Sequence, residues 1–462
     1  MATLLVKNIH TLVTMDPARR EIRNGGMFIK DGFIQQVGGS DEVTADADEV
    51  YDLKGHIVFP GFINTHHHFY QTLTRVVPAA QDANLFNWLK TLYPIWARMT
   101  SEDIYISTKT ALAELALSGC TTASDHLYLF PNGSSLDDEI RAAQEMGMRI
   151  HASRGSMSLG ESRGGLPPDS VVDDEGFILK DSQRLIEKYH DPKPGSRVQI
   201  VLAPCSPFSV TGDLMRESAS LARQYGVHLH THLAETEDEQ QFTVQQFGLR
   251  PLAYMQSLEW VGEDVWFAHS VYIDEEEQKV FAATGCGVAH CPTSNMRLAS
   301  GIAPLREYIR LGVKVGLGVD GSASNDGSHM LEEVRQAMLL ARVRAGLEGA
   351  SLSQSGTSPI MTARKALELA TLGGARVLGR QDIGSLEVGK CADFTAIDLN
   401  HISYAGGLHD PVAAVVFCHP RNVDYTFVHG KAVVEKGQLL SMDLVEHVQK
   451  HNKAAARLLM EE

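Results

Sequence analysis

The stretch HIVFPGFINTHHH, residues 56–68, runs from apolar residues into three consecutive histidines. A short apolar run that ends in polar groups recurs down the chain. It is seen again in CTTASDH (120–126), MRIHASRG (148–155), VQIVLAPCS (198–206) and VHLHTHLAE (227–235). VWFAHS (265–270), CGVAHCPTSN (286–295) and VKVGLGVDGS (313–322) complete a set of eight. Between them lie longer segments such as SEDIYISTKTALAELALSG (101–119) and TGDLMRESASLARQYG (211–226), with apolar residues at helical spacing. Repeated strand-then-helix units imply parallel pairing, and eight of them predict a closed (β/α)8 TIM-type barrel. An open doubly wound sheet is the runner-up, but no glycine-rich phosphate loop follows the first strand.

Outside this region the texture changes. Residues 1–58 read as short strands broken by turns, and strands of the same style return in KCADFTAIDL (390–399) and VDYTFVHGKAVVEKGQLL (423–440). Each terminal set is too short to bury a core alone. Together they predict a small β-sandwich beside the barrel, from residues 1–58 and 376–462, with the barrel over 59–375 and a helical tail from Leu444. The chain has 462 residues, 44% apolar and 21% charged, which fits a globular protein that needs no disulfides.

The formal net charge of −16 argues against nucleic acid or an anionic membrane as the partner. None of the six cysteines forms a CxxC pair, and no run approaches the roughly 20 apolar residues of a membrane span. The start lacks the apolar core and cleavage site of a signal peptide. A cytoplasmic protein with reduced thiols is expected. Its helices leave a homo-oligomer open.

Barrel active sites lie at the C-terminal ends of the strands, where this chain gathers its polar groups. Side chains alternate along a strand, so His66 and His68 share one face and His67 takes the other. Such a pair supplies two imidazoles to one ion. A third from strand five, His230 or His232, and the carboxylate of Asp320 on strand eight complete a three-histidine, one-aspartate set. That set suits a divalent metal, most naturally zinc, with iron and manganese as alternatives. Glu235 and His269 end strands five and six. Each residue also has a plain structural reading: Asp320 as a turn cap, Glu235 as a helix-start acid, His269 as a hydrogen-bonded core residue.

PGFINTHHH (60–68), HTHLAET (230–236), WFAHS (266–270), GLGVDGSASND (316–326) and GSLEVGKCADF (384–394) together resemble the amidohydrolase superfamily, in its subgroup of zinc-dependent deaminases and chlorohydrolases. The resemblance spans essentially the whole chain. It implies metal ligands at His66, His68, His232 and Asp320, with Glu235 and His269 as an acid/base pair and Asp320 also taking the proton of the attacking water. The family's His-x-x-Glu pattern selects His232 over His230, which is left as a lower-layer residue. Two-metal relatives use a carboxylated lysine, often on strand four; VQIVLAPCS has none, so one metal per chain is expected.

A finer likeness lies in HHHFYQTLTR (66–75), LFNWLKTLYPIWARMT (85–100), SGCTTASDHLYLFPNG (118–133), RGSMSLGESRGGLPP (154–168), LAPCSPFSV (202–210) and CPTSNMRLASG (291–301). These segments resemble bacterial 8-oxoguanine deaminases, which implies a small aminated heterocycle as partner and uric acid and ammonia as products. The likeness suggests substrate contacts at Gln71, Arg154 and Cys205. Their plain readings are a solvated amide, a salt-bridged arginine and a buried thiol. Trp88, Tyr93 and Trp96 either cover the ring or pack their helix. Isoxanthopterin, guanine, isocytosine and s-triazines remain alternative substrates. A non-catalytic scaffold would show gaps among the ligand positions, and all of them are filled.

Overall fold

The computed structural model describes residues 2–349 and 361–460. Residues 350–360, within the span read as barrel, and the last two residues of the tail lie outside the described residues. The N-terminal part forms β1 (Thr3–Val13), β2 (Glu21–Lys30), β3 (Phe33–Gly39), β4 (Glu49–Asp52) and β5 (His56–Pro60). Eight short strands follow: β6 (Phe62–Asn64), β7 (Cys120–Leu127), β8 (Arg149–Ser156), β9 (Val198–Pro204), β10 (His228–Leu233), β11 (Val265–His269), β12 (Gly287–His290) and β13 (Lys314–Leu317). The C-terminal part adds β14 (Phe394–Asp398), β15 (Tyr425–Val428), β16 (Lys431–Glu435) and β17 (Gln438–Leu439).

The eight central strands close into a parallel barrel, with β13 beside β6 at Leu317 and Asn64. The terminal strands form one nine-stranded sheet in the order β17-β16-β15-β14-β5-β1-β2-β3, with β4 also on β1. The two termini meet at β5, which pairs parallel with β1 and antiparallel with β14. Val58 points into the sheet's own core with Leu12, Phe394 and Phe427, while Ile57 and Phe59 join the barrel core. Strand alternation therefore ties the sheet to the barrel.

The run HIVFPGFINTHHH is not one strand. It breaks at Gly61, whose N–H donates to the Asp393 carbonyl of the terminal sheet at 2.9 Å, while the next N–H, of Phe62, donates to Gly119 beside the barrel at 3.0 Å. A Cβ at Gly61 would lie 2.2 Å from the Thr121 side chain, so the crossing needs a glycine. β6 ends at Asn64, and the three histidines follow it in irregular backbone before the 3-10 stretch Phe69–Thr74.

Candidate metal centre

The loop after β6 still alternates. His66 and His68 turn their Nε2 atoms to the barrel axis, 3.3 and 3.5 Å from Asp320 Oδ1. His67 turns away: its Nδ1 accepts the His68 N–H at 2.8 Å, which leaves Nε2 to donate to Ser328 Oγ at 3.0 Å. From β10, His232 brings its Nε2 to 3.1 Å from His68 Nε2. Asp320 lies three residues beyond β13 with a left-handed φ of +64°. His269 ends β11 at φ +69°. Non-glycine residues avoid this region unless their surroundings over-determine it, and such strain gathers at functional sites.

The outer nitrogen of each inward imidazole has an acceptor. His68 Nδ1 donates to the His126 carbonyl and His232 Nδ1 to the Cys205 carbonyl, each at 2.7 Å. His66 Nδ1 lies 2.8 Å from His230 Nε2, and His230 Nδ1 donates to the Trp266 carbonyl at 3.0 Å. His230 thus accepts from His66 and sits below the ligand layer. These bonds leave all three inner Nε2 atoms as bare lone pairs. His66 Nε2 is buried without a hydrogen-bond partner. Two lone pairs 3.1 Å apart at His68 and His232 repel unless a cation lies against both. Burial pushes the His232 pKa down to about 3, so a proton does not fill that role at neutral pH. Nitrogen donors, a carboxylate, and outer-side hydrogen bonds that orient each ring match a divalent metal site. His126, not singled out in the sequence, stacks on His232 with ring centroids 4.9 Å apart and belongs to the same imidazole cluster.

Two acids and a base border this centre. Burial lifts the Glu235 carboxyl pKa to about 7, against the opposing pull of His269. His269 Nε2 lies 3.5 Å from Glu235 Oε2 and 3.7 Å from Asp320 Oδ2, and its Nδ1 donates to Asn295 Oδ1 at 2.9 Å. Burial alone would lower the His269 pKa, but the two carboxylates raise it. Burial would likewise raise Asp320, yet hydrogen bonding and charge from His66 and His269 hold it well below the carboxylate range. Glu239 accepts the N–H groups of Ala234 and Glu235 at 2.8 and 2.9 Å and fixes the turn that presents Glu235. Ser300 Oγ adds a contact to Glu235 at 3.4 Å. Asn295, Ser300 and Glu239 were not anticipated from the sequence.

A cavity with about 420 Å³ of space free of protein atoms opens over these groups. Gln71 and Cys205 line it, with Trp88, Tyr93, Tyr128 and Phe208. Gln71 is buried in the 3-10 stretch, with its Oε1 unpaired; a Cβ at Gly321 would fall 1.9 Å from that atom, so the amide lies flat against a glycine. Burial pushes the Cys205 thiol up to about 12, which keeps it protonated. Trp96 is not in the wall: it is fully buried and donates to Thr74 Oγ1 at 3.0 Å. Arg154 does not reach the cavity either, which corrects its expected substrate contact. Its Nε donates to Asp181 Oδ2 at 2.8 Å and its guanidinium covers the Phe130 ring at 4.1 Å. The salt-bridge alternative holds, because Asp181 and Asp173 compensate a charge that is otherwise buried.

A closed parallel barrel with three inward imidazoles and an aspartate at its C-terminal end defines the metal-dependent barrel hydrolases. The chain belongs to the amidohydrolase family, whose model matches residues 57–433. It is 47% identical to the 8-oxoguanine deaminase of Pseudomonas aeruginosa, over 94% of this chain and 95% of that protein. It is 34% identical to an isoxanthopterin deaminase from an unknown prokaryotic organism, over 90% of this chain and 88% of the relative. Among solved structures it superposes on atrazine chlorohydrolase from Arthrobacter aurescens TC1 complexed with zinc, with a TM-score of 0.91, 31% identity, and coverage of 98% of this chain and 100% of that one.

Proposed function

We propose that the protein is a zinc-dependent hydrolytic deaminase that converts 8-oxoguanine and water to uric acid and ammonia. The observation that carries this reading is the placement of Glu235, a buried carboxyl with a pKa lifted to about 7, beside Asp320 and His269 on the floor of an aromatic-walled cavity. Similarity to the Pseudomonas aeruginosa enzyme supports the substrate.

His66, His68, His232 and Asp320 would hold one divalent ion, which when bound lowers the pKa of a water from 15.7 toward about 7. Glu235 in its acid form gives a proton to the ring nitrogen beside the amine-bearing carbon, while a C–O bond forms from water at that carbon. Asp320 takes the first proton of the water and passes it to the amine. His269 steadies the incoming oxygen by a hydrogen bond. The C–N bond then breaks, ammonia leaves, and the new hydroxyl returns its proton to Glu235. In this reading Gln71 pairs with an edge of the ring, and Trp88 and Tyr93 cover its face; their presence in the cavity wall supports it.

No helix among the described residues is long and apolar enough to cross a membrane. The six cysteines carry no disulfide, which supports the cytoplasm as the compartment. The test of the substrate is a kinetic panel of 8-oxoguanine, guanine, isocytosine and isoxanthopterin with the zinc-loaded enzyme. The largest kcat/KM is expected for 8-oxoguanine. Strong turnover of the pterin with none of 8-oxoguanine overturns the assignment.

A further inference from the structure

A second cavity, with about 1110 Å³ of space free of protein atoms including its open mouth, lies behind the metal loop and shares no lining residue with the first. Its walls come from the helix Ser101–Leu117, the segment leading into the helix Met330–Leu347, and the C-terminal helix Leu444–Leu459. The first two turns of the C-terminal helix line this space, while its last turn seats Leu458 in the core. Its imidazoles His447 and His451 are buried, while Leu444, Val445 and Val448 stay 45%, 71% and 46% exposed. Turning two histidines inward over an open space is the arrangement of a polar cavity with contents.

Unspent hydrogen-bonding capacity in the wall points the same way. Both ring nitrogens of His329 and the Nε of Arg75 are buried without a partner among the described residues. Unpaired buried donors and acceptors carry a desolvation penalty that an occupant relieves. The electrostatics define the occupant. The Arg75 guanidinium is already paired with Glu114, so no free cation waits for an anion. Burial lowers the pKa of His329 and His447 and takes that of His451 down to about 4, so the imidazoles are neutral; His329 offers one donor and one acceptor, while Nε2 of His447 and of His451 is engaged by Thr110 Oγ1 at 2.8 Å and Thr72 Oγ1 at 3.1 Å. Ala113, Leu117 and Val448 supply apolar surface for a ring face.

We propose that this cavity is a second ligand site, for an uncharged cyclic amide whose edge alternates N–H and carbonyl groups. Its floor is the back of the metal loop. Ser328 in the wall accepts from His67, and His451 lies 3.1 Å from Thr72 Oγ1 in the stretch just after His68. An occupant therefore sits within two hydrogen bonds of the residues flanking His66 and His68.

The probe is uracil, a cyclic diamide with no exocyclic amine to lose. Calorimetric titration of the zinc-loaded protein with uracil is compared with Val448→Trp, which places an indole over the apolar face of the cavity from a half-exposed position. Ala113→Phe fills it from the opposite helix, should the first variant fold poorly. A variant counts as folded when its turnover at low substrate matches the parent. The folded variant is expected to bind one equivalent of uracil fewer than the parent, and crystals of the parent soaked in uracil to show it against His329. Equal stoichiometry in parent and filled variant, or uracil only over the metal centre, overturns the proposal.

Discussion

Glu235 is the residue on which the proposed chemistry turns, and its geometry separates proton transfer from metal holding. It lies 3.5 Å from His269 and takes no part in the imidazole cluster. Glu235→Gln is expected to keep its full equivalent of zinc by elemental analysis while kcat falls by roughly 10²–10⁴-fold. Near-parental kcat would remove Glu235 from the mechanism. Two neighbours in the triple histidine are expected to part company in the same assay. His66→Ala should lose metal, because its unpaired Nε2 faces Asp320 at 3.3 Å. His67→Ala should keep metal and lose stability by about 1–3 kcal/mol, because it leaves the His68 N–H and Ser328 without their partner. Metal lost from His67→Ala and kept by His66→Ala would put the metal on the wrong face of this loop.

At the scale of elements, two features hold the centre in place. Gly61 is the point where the chain passes from terminal sheet to barrel, with Thr121 2.2 Å from the place of a Cβ. Gly61→Ala is expected to lower unfolding stability by about 1–3 kcal/mol, as overpacking does, in denaturant titration. Glu333, on the helix Met330–Leu347, accepts from Asn325 Nδ2 at 2.9 Å and from the Thr293 N–H at 3.3 Å. Asn325 also donates to the Val319 carbonyl at 2.6 Å, so this carboxyl braces the loop that carries Asp320. Burial raises the Glu333 pKa from 4.5 to about 7. The folded state then holds a proton that the unfolded chain releases. The contribution is whole below about 4.5 and is lost as pH rises through about 7, at up to roughly 1.4 kcal/mol per pH unit. Plotted against pH, the stability difference between parent and Glu333→Gln should move against the parent across that window. A flat difference would show that Glu333 is ionised throughout.

Over the whole molecule, the barrel was legible because a parallel strand buried on both faces is a short apolar run whose polar residues collect at its end. Each of the eight runs contains a barrel strand, the first only from Phe62 onward, and His66, His68, His232, Glu235, His269 and Asp320 meet at one end of them. What stayed hidden depends on neighbours distant in sequence. Pro60-Gly61 is a turn signal, but which sheet each side of it joins is set by hydrogen bonds to the distant Asp393 and Gly119. Arg154 ends its strand as a substrate contact would, but Asp181, 27 residues on, claims it. Asn295 and Ser300 follow β12, where nothing in spacing shows that they reach His269 and Glu235. His126 had a usable signal, since it closes CTTASDH just as His269 closes its own strand.

The account's central claim is hydrolysis of 8-oxoguanine at this metal centre. It is tested most directly by identifying products from the zinc-loaded protein and from the same protein stripped of metal. Uric acid and ammonia in equal amounts are expected from the loaded protein, with turnover lost on stripping and restored by zinc. Loaded protein that leaves 8-oxoguanine intact, or stripped protein that turns it over at the same rate, would contradict the account.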